Sequence, residues 1–427
     1  MISGETGAEA PLGLTFAGAS GELSMKFGVL SLTRSVLSLF SGAGGMDIGL
    51  SRAGYEHVGL VEIGRLQRMT IQLNTSWPLL GDGDVNDLAT SLKPSDLGMS
   101  RGDLGLLAGG PPCQPFSMAA QWAAQGRRGM LDNRARTVES TLALVRMFLP
   151  HAVLFENVSG FVRGPRSAMA YLDEEFARIN REEGVAYRLH VRILNAADYG
   201  VPQNRRRAIV VALRDGGDFE WPEETHRNSP LTAWDALWDV RPSKPPLPRG
   251  KWTELLPLIP EGGNYLWLTS RGGGPELFGY RTKYWNFLLK LAHDQPSWTL
   301  PASPGPSTGP FHWENRPLAV EEQLRLQGFP DEWRIAGDHR EQTVQVGNAT
   351  PALLAELLGM SIRRSVAGVK PSDSSLLRLP ASTSRRPLAP VSEVPQRFVD
   401  LVGVKSAHAG EGLGPAGKLR QASSNTR

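Results

Sequence analysis

The only cysteine of the chain, Cys113, stands in the segment GGPPCQPFS at residues 109–117. The apolar residues Leu104, Leu106 and Leu107 before it predict a short buried strand. Two prolines directly before the thiol predict a rigid loop after that strand. Because open α/β sheets bind ligands at the carboxyl ends of their strands, Cys113 is a candidate nucleophile. A buried, unreactive cysteine is the alternative, and this segment alone does not separate the two.

Two further groups of polar residues stand at the ends of predicted strands. An apolar run at 152–155 ends in Glu156 and Asn157, and a carboxylate there needs either solvent or a partner. Three consecutive arginines, residues 205–207, precede the apolar run 208–213. Clustered arginines repel one another unless an anion or a carboxylate lies nearby. We therefore expect a charged cleft, with a water-facing strand-end acid as the simpler alternative for Glu156.

The first predicted strand covers residues 35–40, and a glycine-rich turn follows it. The turn, residues 41–45, leads into a helix, and the next strand ends at Glu62. Glycines let a ligand approach the backbone closely, and an acid about 20 residues later can accept hydrogen bonds from ribose hydroxyls. The pattern favours a site for a nucleoside-bearing cofactor. Its spacing departs from the usual dinucleotide fingerprint, so a plain tight turn stays an alternative.

The order of predicted elements indicates the fold class. Strands and helices alternate up to about residue 213, which predicts an α/β fold with a mostly parallel sheet. From about residue 217 Pro, Gly and Trp become frequent and helices are harder to predict. The expected organisation is a disordered arm at 1–34, an α/β domain at 35–216, a smaller irregular domain at 217–342, a helix returning to the first domain at 343–365, and a disordered basic tail at 366–427.

Composition excludes several classes of protein. The chain has 427 residues, 41% of them hydrophobic, and a net charge of +3. A single cysteine excludes an intramolecular disulfide framework and a cysteine-cluster metal site. The apolar run 27–40 is broken by Arg34 and is too short to span a bilayer, and nothing before it resembles a signal peptide. We therefore expect a cytoplasmic protein that does not contact a membrane.

Residues 241–300 combine eight Lys or Arg with four acidic residues and nine aromatic residues. Cations next to flat rings are typical of surfaces that bind nucleic acids. A solvated face above ordinary core aromatics is the alternative, and taken alone this stretch favours it.

Taken together, the motifs resemble those of the DNA (cytosine-5) methyltransferases, over roughly residues 35–365. The matching segments stand in the family's order and are 40–45, 109–117, 156–158, 203–207, 316–330 and 345–351. The resemblance implies a Rossmann-like, S-adenosylmethionine-dependent methyltransferase domain, with the smaller domain serving target recognition. It also implies methyl transfer from S-adenosylmethionine to carbon 5 of cytosine in a specific duplex DNA sequence, without a metal.

The family's chemistry assigns a role to each matching catalytic position. Cys113 matches the nucleophile that adds to carbon 6 of the ring, and Glu156 matches the acid at ring nitrogen 3. Arg205 and Arg207 match the pair that holds the carbonyl of the base and the catalytic loop. Arg206 is expected to point away, and Asn157 to shape the loop.

The resemblance also implies a set of cofactor contacts. By matching position they are Phe40, Gly42 and Gly44 on the methionine side, Glu62 at the ribose, Asp84 at the adenine amino group and Asn348 closing the pocket. One position departs from the family, which often has an aspartate two residues after the ribose acid, where this chain has Gly64.

A duplex DNA partner follows from the same resemblance. The target base must be rotated out of the helix, and residues 119–134 would close over it, with Arg134 touching a phosphate. Gln114 and Ser117 are the further expected contacts of the catalytic loop and DNA. Residues that read the sequence are expected within 241–310. The expected enzyme is a monomer of the restriction-modification type or a solitary methylase, and a cognate restriction endonuclease would share its site without forming a complex.

Three other functions compete with this interpretation. An RNA cytosine-5 methyltransferase of the same fold, acting on transfer RNA, would share the motifs, but the long variable region and its basic, aromatic stretch favour DNA. A non-catalytic binding protein is disfavoured because Cys113, Glu156 and Arg205 are all present. A nicotinamide dehydrogenase would leave Cys113 unexplained.

Overall fold

The computed structural model describes residues 34–113, 116, 130, 135–279, 285–369, 379, 382 and 387–403. The expectations for the arm at 1–33 and for Gln114, Ser117 and Arg134 fall outside these residues. The same is true of the expected closing loop at 119–134, apart from residue 130.

The helices and strands occur in a fixed order along the chain. They are β1 (Ser35–Leu39), α1 (Gly45–Arg52), β2 (Glu56–Val61), α2 (Arg65–Asn74), α3 (Val85–Ser91), β3 (Leu106–Gly109), α4 (Arg136–Phe148), β4 (Ala152–Asn157), α5 (Met169–Glu183), β5 (Arg188–Asn195), β6 (Gln203–Asn204), β7 (Arg206–Leu213), α6 (Ala233–Leu237), β8 (Ser297–Trp298), α7 (Val320–Leu326), α8 (His339–Asn348) and α9 (Ala352–Ala367).

Six strands form the main sheet, in the order β2-β1-β3-β4-β7-β5. Strands β1 to β4 pair in parallel, whereas β7 is antiparallel to both of its neighbours. Five of the six strands therefore run in the same direction, which confirms the predicted α/β fold with a mostly parallel sheet. Helices pack on both faces of the sheet around its inner strands, whose apolar residues are buried on both sides.

The reversed strand β7 decides which residues meet at one edge of the sheet. In the register, Leu39, Gly109 and Phe155 lie side by side on β1, β3 and β4. Asn157 at the end of β4 pairs with Ala208 near the beginning of β7. The carboxyl ends of three parallel strands and the amino end of β7 therefore share one edge.

Helices α1 and α9 pack tightly on one face of the sheet. A Cβ atom at Gly49 of α1 would lie 2.3 Å from the carbonyl oxygen of Ala352 and 2.6 Å from the amide nitrogen of Glu356. Only glycine fits such a contact, so the last helix lies directly against the helix that follows the glycine-rich turn. Residues on this face, including Leu50 and Leu358, are fully buried.

The segment between β7 and α7 contains little regular structure beyond α6, β8 and short 3₁₀ turns. It has its own apolar core, in which Leu255, Tyr265, Phe278 and Leu288 are buried. Residues 387–403 pack against this core, although the sequence predicted disorder for 366–427. Phe398 is 4% exposed there and its ring stacks on Trp252.

The sequence predicted a single returning helix at 343–365, which includes the matching segment 345–351. Its first residues instead end a separate helix, α8. Asp338 caps α8 by accepting a hydrogen bond from the amide of Glu341, whose side chain reciprocates at the amide of Asp338. This capping box, visible in the sequence as Asp-x-x-Glu, was the signal for the helix. Among the described residues, no helix is long and apolar enough to span a membrane.

Candidate active site

The loop after β3 holds Cys113 at the shared edge of the sheet. Phe116 anchors the far side of the loop, because its ring is buried and packs edge-on against Phe161 at 5.0 Å. The side-chain amide of Asn157 donates a hydrogen bond of 2.9 Å to the carbonyl oxygen of Pro111. The end of β4 therefore holds the proline turn in place, as expected of Asn157, and Cys113 lies in a restrained loop.

Glu156 and Arg207 form an ion pair beside this loop, with 2.9 Å between Nε of Arg207 and Oε1 of Glu156. The register of β4 and β7 brings the two side chains together, since Glu156 pairs with Ile209 and Arg207 lies two residues before Ile209, on the same face of the sheet. Gly110 leaves room for the carboxylate, because a Cβ atom there would lie 3.3 Å from Oε2 of Glu156. Glu156 is therefore a carboxylate of the kind that the three clustered arginines were expected to need nearby.

Arg205 is 1% exposed, and its Nη2 donates hydrogen bonds of 2.9 Å to the carbonyl oxygens of Gly347 and Ala349. Within the described residues its Nε and Nη1 atoms have no hydrogen-bond partner. Arg205 thus fastens the end of α8 and the residue after it, and its Nε and Nη1 stay available for another acceptor. Arg206, between the two inward arginines, is exposed, as its position predicted.

One cavity of about 310 Å³ joins these groups to the glycine-rich turn. The catalytic residues predicted from the sequence, Cys113, Glu156, Arg205 and Arg207, all line it. Four of the predicted cofactor residues line it as well, namely Phe40, Gly42, Glu62 and Asn348. The thiol, the carboxylate and the glycine-lined cleft therefore share one space.

The surroundings of Cys113 set its acidity. Burial raises the pKa of the Cys113 thiol above its ordinary value, and the negative charge of Glu156 acts in the same direction. The cations Arg207 and Arg205 lower that pKa and so oppose the effect of burial.

We expect alkylation of Cys113 by iodoacetamide to follow a titration whose midpoint lies above the ordinary pKa of a cysteine thiol, because only the thiolate reacts. Arg207→Gln should move this midpoint to higher pH, since it removes the strongest group that lowers the pKa. The chain has a single cysteine, so mass spectrometry of the alkylated protein measures this titration directly.

Arg206→Gln is the matched control, because it removes an exposed neighbouring charge and should leave the midpoint in place. An unchanged or lower midpoint for Arg207→Gln would contradict the proposed electrostatic role of Arg207.

Glu62 is held by the backbone on both sides. Its Oε2 accepts a hydrogen bond of 2.8 Å from the amide of Gly42, and its Oε1 accepts one of 2.7 Å from the amide of Gly64. Burial raises the pKa of Glu62, and these two amides oppose that shift. Each oxygen keeps one further lone pair, so the oriented carboxylate can still accept hydrogen bonds from a ligand.

Two predicted cofactor residues have other contacts in the structure. Gly44 does not line the cavity described above; it has a φ of 84°, and a Cβ atom there would lie 2.9 Å from the ring of Trp333. Asp84 does not line the cavity either. Its carboxylate caps α3 by accepting hydrogen bonds from the amide and side chain of Asn86. Its neighbour Gly83 nevertheless packs directly against the backbone of Glu62.

Several residues lining the cavity were not identified from the sequence. They are Ser38, Leu39, Ser41, Met46, Ile63, Gln67, Gln345 and Thr350. Ile63 is the most informative, because this apolar side chain is 68% exposed directly after Glu62. An apolar residue between Glu62 and Gly64 at the end of a predicted strand was the available signal in the sequence for a ligand surface.

Gln67 accounts for the glycine that replaces the family's aspartate. A Cβ atom at Gly64 would lie 2.2 Å from Oε1 of Gln67 and 2.9 Å from Oε1 of Glu62. The side chain of Gln67, on the first turns of α2, therefore occupies the space beside Glu62 that a longer residue at position 64 would need.

Among the described residues, no group of three or more His, Cys, Asp or Glu side chains could hold a metal ion.

Comparisons with known proteins agree with this architecture. The sequence model of a family described as C-5 cytosine-specific DNA methylase matches residues 34–364. The chain is 35% identical over 363 residues to Type II methyltransferase M.SacI of Streptomyces achromogenes, covering 76% of this chain and 91% of that protein.

A second relative, Type II methyltransferase M.Eco47II of Escherichia coli, is 33% identical over 351 residues, covering 77% of this chain and 78% of the relative. Among solved structures, a prophage-encoded DNA modification methyltransferase of E. coli superposes with a TM-score of 0.56 at 22% identity. That match covers 78% of this chain and 99% of the other, and it shows that the two share a fold.

Proposed function

The chain belongs to the C-5 cytosine-specific DNA methylases, and we propose that it methylates cytosine through a covalent bond between Cys113 and an everted base. The methyl donor is S-adenosylmethionine. The observation that carries this proposal is the cavity that Cys113, Glu156, Arg207 and Glu62 line together. A nucleophile, an acid and a nucleoside-binding carboxylate in one space are what the reaction needs.

The cavity suits the adenosyl end of S-adenosylmethionine at the side of β2. Glu62 offers the remaining lone pairs of its two oxygens to the ribose hydroxyls. Ile63 offers an exposed apolar face to the adenine ring, next to Gln67. Phe40, Gly42 and Asn348 would surround the methionine end. When bound, S-adenosylmethionine supplies an electrophilic methyl group on a sulfonium centre.

The other side of the cavity suits the pyrimidine ring. The thiolate of Cys113 would add to carbon 6, and the electron pair of the 5,6 double bond would then make carbon 5 nucleophilic. Glu156 would give a hydrogen bond or a proton to ring nitrogen 3, where negative charge develops. Carbon 5 would accept the methyl group, with S-adenosylhomocysteine as the leaving group, and would then lose its proton to a base. The electrons of that C–H bond restore the double bond and expel the Cys113 thiolate.

The arginines would position the base and the loop during these steps. Arg205 keeps Nε and Nη1 without partners among the described residues, and these donors suit the carbonyl oxygen of cytosine. Arg207 holds the carboxylate of Glu156 in place through the ion pair. Because cytosine in a duplex is stacked and paired, it must rotate out of the helix to enter this cavity. Gln114, Ser117 and Arg134 remain predicted contacts of the closed loop and DNA.

A mechanism-based trap tests the covalent step. Duplex DNA carrying 5-fluorocytosine at the target position should form a protein–DNA adduct that survives a denaturing gel. Fluorine cannot leave carbon 5 as a proton does, so the bond to Cys113 persists after methyl transfer. The target position comes from bisulfite sequencing of DNA from cells that express the protein, which also reports the sequence context.

Two controls make this experiment specific. The adduct should require S-adenosylmethionine, and Cys113→Ser should form none under the same conditions. Failure of the wild-type protein to form an adduct on fluorinated DNA, while it methylates ordinary DNA, would overturn the covalent mechanism.

The biological setting is part of the same proposal. Relatives named Type II methyltransferases support a restriction-modification role, in which a cognate endonuclease cuts the sequence that this enzyme protects. We propose that the enzyme acts as a monomer on chromosomal DNA in the cytoplasm. Resistance of methylated plasmid DNA to endonucleases of the mapped sequence tests the protective role.

A further inference from the structure

The aromatic residues of the basic stretch at 241–300 divide into two groups. Seven of the nine are described, and five of them, including Tyr265 and Phe278, belong to the core of the small domain. The other two, Trp285 and Trp298, are 48% and 40% exposed. Their rings contact each other edge-on, with 4.9 Å between centroids. Two of the largest apolar side chains therefore share one patch of surface.

The strand pair β6–β8 connects this patch to the catalytic arginines. Trp298 is the register partner of Asn204, which directly precedes Arg205. The hydroxyl of Thr299 donates a hydrogen bond of 2.6 Å to the carbonyl oxygen of Asn204. Trp298 is thus fixed beside the segment that carries Arg205 and Arg207 into the cavity.

A second connection runs from β8 to the opposite wall of the cavity. Ala302 stands four residues after Trp298. A Cβ atom added at Gly347 would lie 2.6 Å from the Cα atom of Ala302, so the two backbones are in close contact. Gly347 lines the cavity and accepts a hydrogen bond from Arg205. The segment that carries Trp298 therefore pairs with the residue before Arg205 and packs against Gly347 of the cavity lining.

The chemistry of the patch indicates its occupant. Exposed tryptophans on a soluble protein mark interaction sites when they adjoin each other. Flat aromatic rings suit nucleic acid bases, which stack on them irrespective of sequence. The stretch 241–300, which contains both tryptophans, carries a net charge of +4 from eight basic and four acidic residues, which favours a polyanion. Eversion of one cytosine leaves the neighbouring bases without a stacking partner.

We propose that Trp285 and Trp298 form a stacking surface for the DNA bases next to the everted cytosine. This inference rests on the proposed base eversion. The two rings replace the stacking that these bases lose when the target leaves the helix. Trp298 is held by β8, and the backbone of Trp285 is held by a hydrogen bond of 2.7 Å from the side-chain amide of Asn264.

The test measures DNA affinity with a short fluorescent duplex that contains the methylated sequence mapped by bisulfite sequencing. Trp298→Ala and Trp285→Ala should each raise the dissociation constant for this duplex by about 5- to 150-fold, the range supported by one base stacked on one ring. Trp298→Phe should recover most of the affinity. The dissociation constant for S-adenosylmethionine, measured by calorimetry, should not change, because neither ring lines the cavity.

Leu247→Ala is the matched control, since Leu247 is 79% exposed in the same domain and should have no effect. Thermal unfolding shows whether each variant is folded. If Trp298→Ala loses its fold, Trp285→Ala decides the outcome, because the hydrogen bond from Asn264 reaches the backbone of Trp285 and does not use its ring. DNA affinity within twofold of wild type in a folded Trp285→Ala protein would overturn the proposal. So would an altered oligomeric state with unchanged DNA affinity, which would assign the patch to a second copy. Loss of the covalent adduct in Cys113→Ser tests the mechanism separately.

Discussion

Replacing Cys113 by serine is expected to abolish methylation while leaving S-adenosylmethionine binding intact. A serine hydroxyl does not ionise near neutral pH, and oxygen is a much weaker nucleophile toward carbon 6 than a thiolate. We expect the single-turnover rate to fall on the order of 10⁴-fold or more, as when other covalent enzymes lose their nucleophile. Transfer of tritiated methyl groups to DNA measures this rate.

The loop geometry makes Cys113→Ser a clean substitution. The loop is held by Phe116 in the core and by the hydrogen bond from Asn157 to Pro111, and neither contact uses the sulfur. The dissociation constant for S-adenosylmethionine should therefore stay within about threefold of wild type, since a serine removes no contact of the cofactor side. Turnover close to wild type would refute the assignment of Cys113 as the nucleophile.

Much of this site could be predicted because local sequence patterns mark strand ends. The apolar runs before Cys113 and Glu156 predicted β3 and β4, and parallel strands bring their carboxyl ends to one edge. The three arginines at 205–207 could be assigned to the same edge only through the family resemblance. Their place depends on β7 running antiparallel to β4, which no local pattern in the sequence states.

Other features escaped prediction because they depend on contacts between distant parts of the chain. Gly44 stays a predicted cofactor residue, but its packing against Trp333, nearly 300 positions away, could not be read from the sequence. The packing of Phe398 on Trp252 was hidden because the composition around it is typical of disorder. A mean over 60 residues does not reveal a single aromatic anchor. Gln67 was missed because helix α2 was not predicted.

The ion pair between Glu156 and Arg207 allows two physical explanations of why methylation would need the Glu156 carboxylate. In one, Glu156 acts on ring nitrogen 3 of cytosine. In the other, it only fixes Arg207 beside Cys113 and offsets a charge that is largely buried. Both accounts predict that removing the carboxylate slows methylation, so a single variant cannot separate them. A second substitution at Arg207 can.

Glu156→Gln is expected to lower the single-turnover methylation rate by about 10²- to 10⁴-fold, the usual contribution of a positioned general acid. Arg207→Gln alone should have a smaller effect, and the double variant should be at least as slow as Glu156→Gln. Glu182→Gln is the control, since that carboxylate lies on α5 and is half exposed. If Glu156 served only to hold Arg207, the double variant would be no slower than Arg207→Gln. The ratio between the rate of the double variant and the rate of Arg207→Gln therefore decides whether Glu156 acts on the base or only on Arg207.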